Sequence, residues 1–441
     1  MTRLNIDMPP SRCGKSALSL LIISVLIFSG CSAAQSTPSS PTVPSMAASQ
    51  AAAMSASIPA GPISFGLLVP FTGQYGYFGN EFSEGAQVAA AEINAGGGIL
   101  GHQVQIVNGD TVSDPIDAVP ALNKLISVDH IAAVVGPQSP EIGAVLPIID
   151  RNKLPDMFQG GSTDFDHTTD PWMWRASPSD SQLGVAMALY AWNKGYRNAA
   201  LMFDTEPSAQ TLVPVVANTF KALGGTIATT ITLTIDQASY RSEVQTAIAA
   251  KPDVIFTSED VITAGALFTN FQQANGLAIP FVGTDSTTGS DFIKAISPAT
   301  AHKALTSLVG GTEQGGGGTV FNTWYAKSFT HAPLANASYA YDAVMALALA
   351  MEKAGTTDGT AVVAALPEVS NPPGQTVSSW AEAVAAIQAG TKINYNGASG
   401  PMDFDQYHNV FGPFDALQYD SSGSPNTVQV FTADQLKLAT K

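Results

Sequence analysis

The residue types that most often carry catalysis are not arranged for it in this chain. The six histidines stand singly, with no HExxH motif and no close pair, so a catalytic metal is not expected. Neither Ser139 nor Ser162 lies in the G-x-S-x-G motif of a serine hydrolase. The run Gly96–Gly101 satisfies GxGxxG, but it follows a helix and precedes a strand, the reverse of what dinucleotide binding requires. These patterns favour a protein that binds without a cofactor over an enzyme.

The elements near the start of the folded chain predict where a ligand would bind. An apolar run of strand length, Ile63–Val69, is followed by helical spacing from Glu81 to Asn94 and by a second strand, Val104–Val107. In open parallel sheets, ligands bind at the loops beyond the carboxyl ends of the strands. The loop Pro70–Gly79 is therefore the first candidate for ligand contact.

The rest of the chain continues this alternation of strands and helices. The order predicts an α/β fold with parallel sheets, and roughly 380 residues exceed the usual single core, which predicts two lobes. A long helix, Ser338–Ala354, is expected between glycine-rich breakers at 310–318 and 355–359. The tail, Gly400–Phe431, has the composition of β-structure.

The N-terminal region predicts export and anchoring. Residues 1–30 combine a basic start with an uncharged apolar stretch too short for a membrane span, as a signal peptide does. The sequence Phe28-Ser29-Gly30-Cys31 resembles a lipobox, so Cys31 is the expected site of lipidation. The alternative is an ordinary secretory signal with an incidental cysteine. Residues 31–61, which comprise the lipidated cysteine and a Ser/Ala/Pro-rich stretch without charge, are expected to form a disordered linker.

The charge composition limits the classes of molecule that this protein is expected to bind. The chain has 19 basic and 35 acidic residues, a formal net charge of −16. Such a protein repels nucleic acid and anionic lipid headgroups, so we expect no nucleic-acid partner and membrane contact only through the lipid anchor.

Several short motifs are spread along the chain: ISFGLLVPFTGQYGYFG (63–79), AAEINAGGGILG (90–101), IVNGDTVSDPID (106–117), VVGPQSPEIGAVLP (134–147), WRASPSD (174–180), KPDVIF (251–256), PFVGTD (280–285) and GASGPMDFD (397–405). In their order and spacing these motifs resemble the leucine/isoleucine/valine-binding protein family, type I periplasmic binding proteins that serve ABC transporters.

The resemblance implies two α/β lobes joined by three hinge strands that close on a ligand. The crossings are expected near Arg175–Ser177, Leu308–Gly310 and Gly397–Met402. Lobe 1 would comprise residues 62–176 plus 310–400, and lobe 2 residues 177–309 plus 401–441.

The resemblance also implies a set of ligand-binding residues. Ser139 matches the serine that binds the ligand carboxylate, Gly160 a backbone carbonyl that accepts from the ligand amine, and Ser162 a further hydroxyl. Asp285 matches the acid that pairs with the ammonium. The other two matches are pocket-wall residues, Phe78 and Asp260.

The chain departs from the family pattern at several places. A wall residue that is often aromatic is here Asp260, next to Glu259, and the family's DDxAYG-type loop appears as Asp204–Ala209 without its tyrosine. The family's first-lobe disulfide is absent. These departures disfavour a purely aliphatic ligand side chain.

Each proposed role has a simpler structural alternative. A carboxylate at Ser139 would gain helix N-terminal donors, but Ser139 could equally act as a plain N-cap. Ser162 could serve turn chemistry. Asp285, which could pair with an ammonium, and the pair Glu259 and Asp260 could all be solvated loop acids.

The expected function is that of a lipid-anchored, extracytoplasmic solute-binding protein of an ABC importer. It would act as a monomer, capture an amino acid or amide-like ligand between its lobes, and dock on permease subunits. It would lie at the cell surface or in the periplasm. The alternatives are a sensory lipoprotein that presents its ligand to a receptor without transport, and a hydrolase.

Overall fold

The structure, a computed structural model, describes residues 61–313, 315–334 and 336–439. The expected signal peptide, Cys31 and the linker up to residue 60 lie outside these residues. All the described residues fall within one compact unit, Ser49–Lys441.

Fifteen strands are formed by the described residues. In chain order they are β1 (Ile63–Val69), β2 (Val104–Asp110), β3 (Ala133–Val135), β4 (Asp156–Phe158), β5 (Met173–Arg175), β6 (Asn198–Asp204), β7 (Thr226–Leu233), β8 (Val254–Ser258), β9 (Phe281–Gly283), β10 (Leu305–Gly310), β11 (Gln375–Val377), β12 (Ile393–Gly397), β13 (Gly400–Pro401), β14 (Phe414–Tyr419) and β15 (Pro425–Phe431).

Fourteen α-helices alternate with these strands in the described part of the chain. They are α1 (Gly76–Ala95), α2 (Pro115–Ser127), α3 (Ser139–Asn152), α4 (Asp180–Asn193), α5 (Pro207–Ala222), α6 (Arg241–Ala249), α7 (Val261–Gln273), α8 (Gly289–Ile296), α9 (Pro298–Ala304), α10 (Gly316–Ser328), α11 (Ala337–Ala354), α12 (Gly359–Ser370), α13 (Trp380–Gln388) and α14 (Ala433–Ala439). Two short 3-10 turns span Thr163–Phe165 and Asp285–Thr287.

The first sheet contains the strands β1 to β5. Their order is β2-β1-β3-β4-β5, and every neighbouring pair is parallel. The interior strand β1 is apolar and buried along nearly its whole length because helices cover both faces of the sheet. The predicted α/β class with a parallel sheet is confirmed.

The second sheet has seven strands in the order β15-β14-β10-β9-β8-β6-β7. Strands β6 to β10 are parallel, whereas β14 pairs antiparallel with both β10 and β15. The tail expected to be β-structure therefore forms one edge of this sheet. A small third sheet joins β11, β12 and β13.

The chain passes between the two main sheets more than once. Strand β5 belongs to the first sheet and β6 to the second. After β10, helices α11 to α13 pack on the same core as β1. Strand β14 then rejoins the second sheet. The crossings expected near Arg175–Ser177, Leu308–Gly310 and Gly397–Met402, and the lobe boundaries that follow from them, stay predictions.

Helix α1 begins earlier than the sequence pattern indicated. It starts at Gly76, so the predicted helix start at Glu81 is wrong and the loop is shorter than Pro70–Gly79. Gly79 lies inside the helix. The residue there is glycine because a Cβ would sit 2.4 Å from the Pro70 carbonyl oxygen. This glycine permits close packing and does not keep a loop open.

The glycine-rich run 310–318 is a second place where the structure differs from the prediction. Helix α10 begins at Gly316, within the run 310–318 that was expected to break structure. A Cβ at Gly317 would lie 2.1 Å from the Gly397 carbonyl oxygen, so the run lets the helix start against the end of β12.

No helix among the described residues is both long and apolar enough to cross a membrane.

Candidate ligand-binding site

A cavity opens where the carboxyl ends of strands from both main sheets face each other. About 990 Å³ of space among its lining residues is unfilled by atoms, the open mouth included. The lining residues follow the strand ends: Pro70 and Tyr75 after β1, Gln138 to Glu141 after β3, Gln159 and Gly161 after β4, Ser177, Pro178 and Asp180 after β5, Asp204, Glu206 and Ser208 at and after β6, Ser258 at the end of β8, and Thr284 to Ser286 after β9. This is the position at which α/β sheets bind ligands.

Aromatic side chains form the apolar part of the lining. Phe78 and Phe82 lie on α1, with ring centroids 6.0 Å apart, and Phe78 also contacts Tyr75, with centroids 6.4 Å apart. Tyr339 and Phe414 complete this surface. The structure thus places the predicted wall residue Phe78 in the cavity, although on a helix and not in a loop.

Ser139 lies in the cavity as the first residue of α3. Its hydroxyl oxygen accepts a hydrogen bond from the backbone N–H of Ser162 at 3.0 Å. Gln138, not Ser139, occupies the N-cap position, so the N-cap alternative for Ser139 is wrong. The hydroxyl proton of Ser139 remains available for a ligand.

Gly160 and Ser162 support Ser139 from behind and do not line the cavity. A Cβ at Gly160 would lie 2.4 Å from the Ser139 hydroxyl oxygen, so only glycine fits there. The Ser162 hydroxyl accepts from the Asp164 N–H at 3.3 Å and caps a 3-10 turn. The Ser162 side chain therefore stabilises a turn, as the simpler structural alternative proposed.

A buried arginine holds this loop in place. The Arg175 guanidinium donates to the Ser162 carbonyl at 2.9 Å and pairs with the Asp166 carboxylate at 2.8 Å. Ser179 donates to the same carboxylate at 2.5 Å. Arg175 is thus engaged beneath the cavity wall and is not among the residues that line it.

Two acids, Asp285 and Asp180, lie in the lining from different elements. Burial raises the pKa of Asp285 to about 6. Burial, and then the charge of Asp285, raise the pKa of Asp180 to about 8. Asp285 is therefore a cavity acid and not the solvated surface residue of the alternative. Beside it, Ser258, Thr284 and Ser286 join their hydroxyls at 2.8 to 3.1 Å.

Asp260 does not contribute to the lining. It is the N-cap of α7, and its carboxylate accepts from the Ile262 N–H at 2.7 Å and the Thr263 N–H at 3.0 Å. Its neighbour Glu259 accepts from the Thr257 hydroxyl, and burial raises the pKa of Glu259 to about 8. Only 3% of Asp260 and 1% of Glu259 are exposed, so the expectation of a solvated pair is wrong. The carboxylate serves the helix terminus because a buried N-terminus needs an acceptor.

Three further acids line the cavity, and like Asp180 they were not selected by the sequence interpretation. Asp204 ends β6 and accepts from the Glu206 N–H at 2.9 Å, and burial raises the pKa of Asp204 to about 7. Burial also raises the pKa of Glu206. Glu141, in the first turn of α3, accepts from the Thr111 hydroxyl at 3.1 Å, and burial raises its pKa to about 7. The available signal was an acid directly after a strand, as in Asp204-Thr205-Glu206.

One contact joins the two sides of the cavity mouth. Tyr77 on α1 donates to the Ser286 carbonyl at 3.5 Å, across from the loop that follows β9. Among the described residues, no cluster of three or more His, Cys, Asp or Glu side chains has the arrangement to hold a metal ion.

The amino-acid sequence is similar to a known protein family and to individual known proteins. The family described as periplasmic binding protein matches residues 62–424. Leu/Ile/Val-binding protein homolog 1 of Brucella abortus (strain 2308) is 24% identical over 311 residues, which cover 69% of this chain and 81% of that protein. The chemotactic signal transduction system substrate-binding protein BasB of Halobacterium salinarum is 25% identical over 362 residues, 78% of this chain and 83% of BasB.

Solved structures share the fold. The leucine binding protein LivK from Thermotoga maritima MSB8 has a TM-score of 0.71 at 21% identity, covering 84% of this chain and 99% of LivK. LivJ from Streptococcus pneumoniae, a branched-chain amino acid transporter substrate binding protein in complex with isoleucine, has a TM-score of 0.70 at 21% identity with the same coverage. A solute binding protein of an ABC transporter from R. palustris in complex with benzoate has a TM-score of 0.67 at 18% identity, covering 84% of this chain and 96% of that protein.

The predicted two-lobed architecture is confirmed by these likenesses, and the family match spans nearly all of the described residues. The chain belongs to the type I periplasmic binding protein family.

Proposed function

We propose that this protein is the extracytoplasmic solute-binding component of an ABC importer and captures an amino acid or small amide-like ligand between its two lobes. The observation that carries the proposal is the cavity between the strand ends, which contains Phe78, Ser139 and Asp285 together. Relatives named as Leu/Ile/Val-binding proteins support the solute-binding role.

In this proposal each side of the cavity has a part in binding. The Ser139 hydroxyl donates to the ligand carboxylate, and Asp285 pairs with the ammonium. Gly160, which was expected to accept from the amine, lies behind the cavity wall and has no part in this proposal. A ligand that contacts both lobes favours the closed form by its differential affinity, and permease subunits would recognise that form. The Tyr77 to Ser286 hydrogen bond is one contact that closure would make and opening would break.

Anchoring by lipid is part of the same proposal. Cleavage before Cys31 and diacylation would hold the protein at a membrane, with residues 32–61 as the tether. Metabolic labelling with a palmitate analogue should label the wild-type chain and not the Cys31→Ser variant. Labelling of both would contradict the anchor and leave the binding role untouched.

The binding role is tested by calorimetry on purified residues 62–441 with a panel of amino acids and amides. A ligand with an ammonium should bind the wild type and lose at least about tenfold in affinity in Asp285→Asn. Asp291→Asn is the matched control, because Asp291 lies on the exposed surface with only Lys294 as its ionic partner. Binding that is unchanged in Asp285→Asn would remove Asp285 from the site.

A sensory role is the second candidate, favoured by the likeness to BasB. A sensory protein would present its ligand to a receptor and transport nothing. Uptake of the labelled ligand, lost on deletion of this gene and restored by the wild-type copy, distinguishes transport from sensing alone.

A further inference from the structure

In the described part of the chain, the carboxyl groups of the cavity lining have no basic side chain among them. Five of its residues are carboxylic acids: Glu141, Asp180, Asp204, Glu206 and Asp285. Among the described residues that line it, none is lysine, arginine or histidine. The one buried cation close to Asp180, Arg175, is paired with Asp166 behind the wall.

These acids form two groups on different elements. Asp204 ends β6 and Glu206 follows it, and the Asp204 carboxylate accepts a hydrogen bond from the Glu206 N–H at 2.9 Å. At the start of α3, the charge of Glu206 contributes to the raised pKa of Glu141. We call these three residues the β6 group. Asp180 at the start of α4 and Asp285 after β9 form the second group: both line the cavity, and the charge of Asp285 contributes to the raised pKa of Asp180.

Independent evidence for a donor-rich ligand comes from polar atoms without a partner. Gln159 Oε1, Ser177 Oγ and Glu141 Oε2 have no hydrogen-bond partner among the described residues. The three residues are 4%, 6% and 1% exposed, and all three line the cavity. Buried acceptors of this kind are costly unless a ligand donor reaches them. Of the three atoms, the amide oxygen Gln159 Oε1 can only accept.

The N-terminus of a helix often binds an anion, but the residues in the first turn of α3 make it less suited to that role. Pro140 has no N–H to offer, and the carboxylate of Glu141 already lies in the first helical turn. A negative side chain at the N-terminus of a helix already interacts with the positive end of the helix dipole, so a bound anion would be stabilised less there. The cavity therefore accommodates positive charge better than negative charge.

We propose that the ligand of this cavity is a small organic dication, with one ammonium or guanidinium group at the β6 group and another at Asp180 and Asp285. This inference rests on the proposed solute-binding function and specifies its ligand class. A basic amino acid and a diamine both fit this chemistry, and they differ in whether a carboxylate is present. A neutral aliphatic ligand would leave the five acids of the lining without a cationic partner, and two of them, Glu141 and Asp204, are only 1% exposed. Such an arrangement is unfavourable.

The test compares ligands of matched shape by calorimetry on residues 62–441. Arginine and citrulline are nearly isosteric and differ in the side-chain charge, while agmatine keeps both cations and lacks the carboxylate. We expect arginine, lysine, agmatine or a simple diamine to bind at least about 30-fold tighter than citrulline, norleucine and leucine. Arginine above agmatine identifies a basic amino acid as the ligand, and agmatine above arginine identifies a diamine.

Glu206→Gln provides the test within the protein. Because it is close in shape, we expect it to fold and to weaken binding of the dication by at least about tenfold. Asp291→Asn, outside the cavity, should bind as the wild type does.

Three outcomes would overturn the inference. Tighter binding of leucine or another neutral amino acid would refute the dication and leave the solute-binding function intact. Stabilisation by Ca²⁺ or Mg²⁺ alone, without any organic ligand, would identify a metal site instead. Failure of every dication and every neutral amino acid to bind would refute both the inference and the proposed function.

Discussion

The Ser139 hydroxyl and the backbone N–H of Ser162 form a 3.0 Å hydrogen bond that joins the start of α3 to the loop after β4. The bond uses a lone pair of the hydroxyl and leaves its proton free. It also explains why Ser162 belongs behind the cavity wall while Ser139 faces the ligand. The two serines act as one unit, of which only the first can touch a solute.

The first prediction concerns Ser139→Ala. The substitution leaves the buried N–H of Ser162 without an acceptor, so we expect a loss of about 1–2 kcal/mol in the free energy of unfolding, measured in urea. Ligand affinity should fall as well, because the donor to the solute is gone. Ser127→Ala is the control, since the Ser127 hydroxyl is exposed on α2 and donates to the Asn123 carbonyl. A variant as stable as the wild type would contradict the supporting role of the bond.

The second prediction separates Asp260 from the ligand. Asp260→Ala removes the N-cap of α7 and leaves the Ile262 and Thr263 N–H groups unpaired. We expect a loss of about 1–2 kcal/mol in the free energy of unfolding and unchanged ligand affinity. Asp358→Ala is a matched control: Asp358 caps α12 and is exposed, so its loss should cost less. A large fall in affinity at full stability would return Asp260 to the binding site.

The order of strands and helices could be predicted because strands such as β1 and β3 are buried on both faces and therefore appear in the sequence as continuous apolar runs. The family motifs then indicated the cavity and three of its lining residues, Phe78, Ser139 and Asp285. Asp260 could not be placed from sequence, since an acid after a strand suits both a ligand wall and a helix cap.

Other features depended on contacts that no local pattern carries. Gly79 and Gly317 look like loop residues, yet each lies in a helix where a carbonyl oxygen from elsewhere comes within 2.4 Å of a Cβ position. The five cavity acids are separated along the chain, and only the folded sheets bring their carboxylates to one place.

The third prediction is a pH dependence of stability that traces to Asp180. Its pKa is about 8 in the folded protein because of burial and of the charge of Asp285, partly offset by Arg175, with Asp166 as a further negative neighbour. Unfolded aspartate titrates near pH 4. Between these values the folded state holds a proton that the unfolded state has released, so stability falls as pH rises and the contribution is lost through about pH 8.

The measurement is urea unfolding of the ligand-free protein between about pH 5 and pH 8.5. Asp180→Asn should show a shallower decline than the wild type, with the difference growing toward alkaline pH. Parallel curves for the two proteins would mean that Asp180 is ionised throughout this range.

The fourth prediction uses two helical glycines with opposite surroundings. Gly85 on α1 faces α11, where a Cβ would lie 1.9 Å from the Ala337 carbonyl oxygen. Gly143, inside α3, has no atom within 4 Å of its Cβ position. Gly85→Ala must push the two helices apart, and we expect it to cost about 1–3 kcal/mol. Gly143→Ala should instead stabilise the protein by about 0.5–1 kcal/mol, because alanine loses less backbone entropy in a helix. Equal effects of the two substitutions in urea unfolding would show that α1 and α11 do not pack as closely as the structure has them.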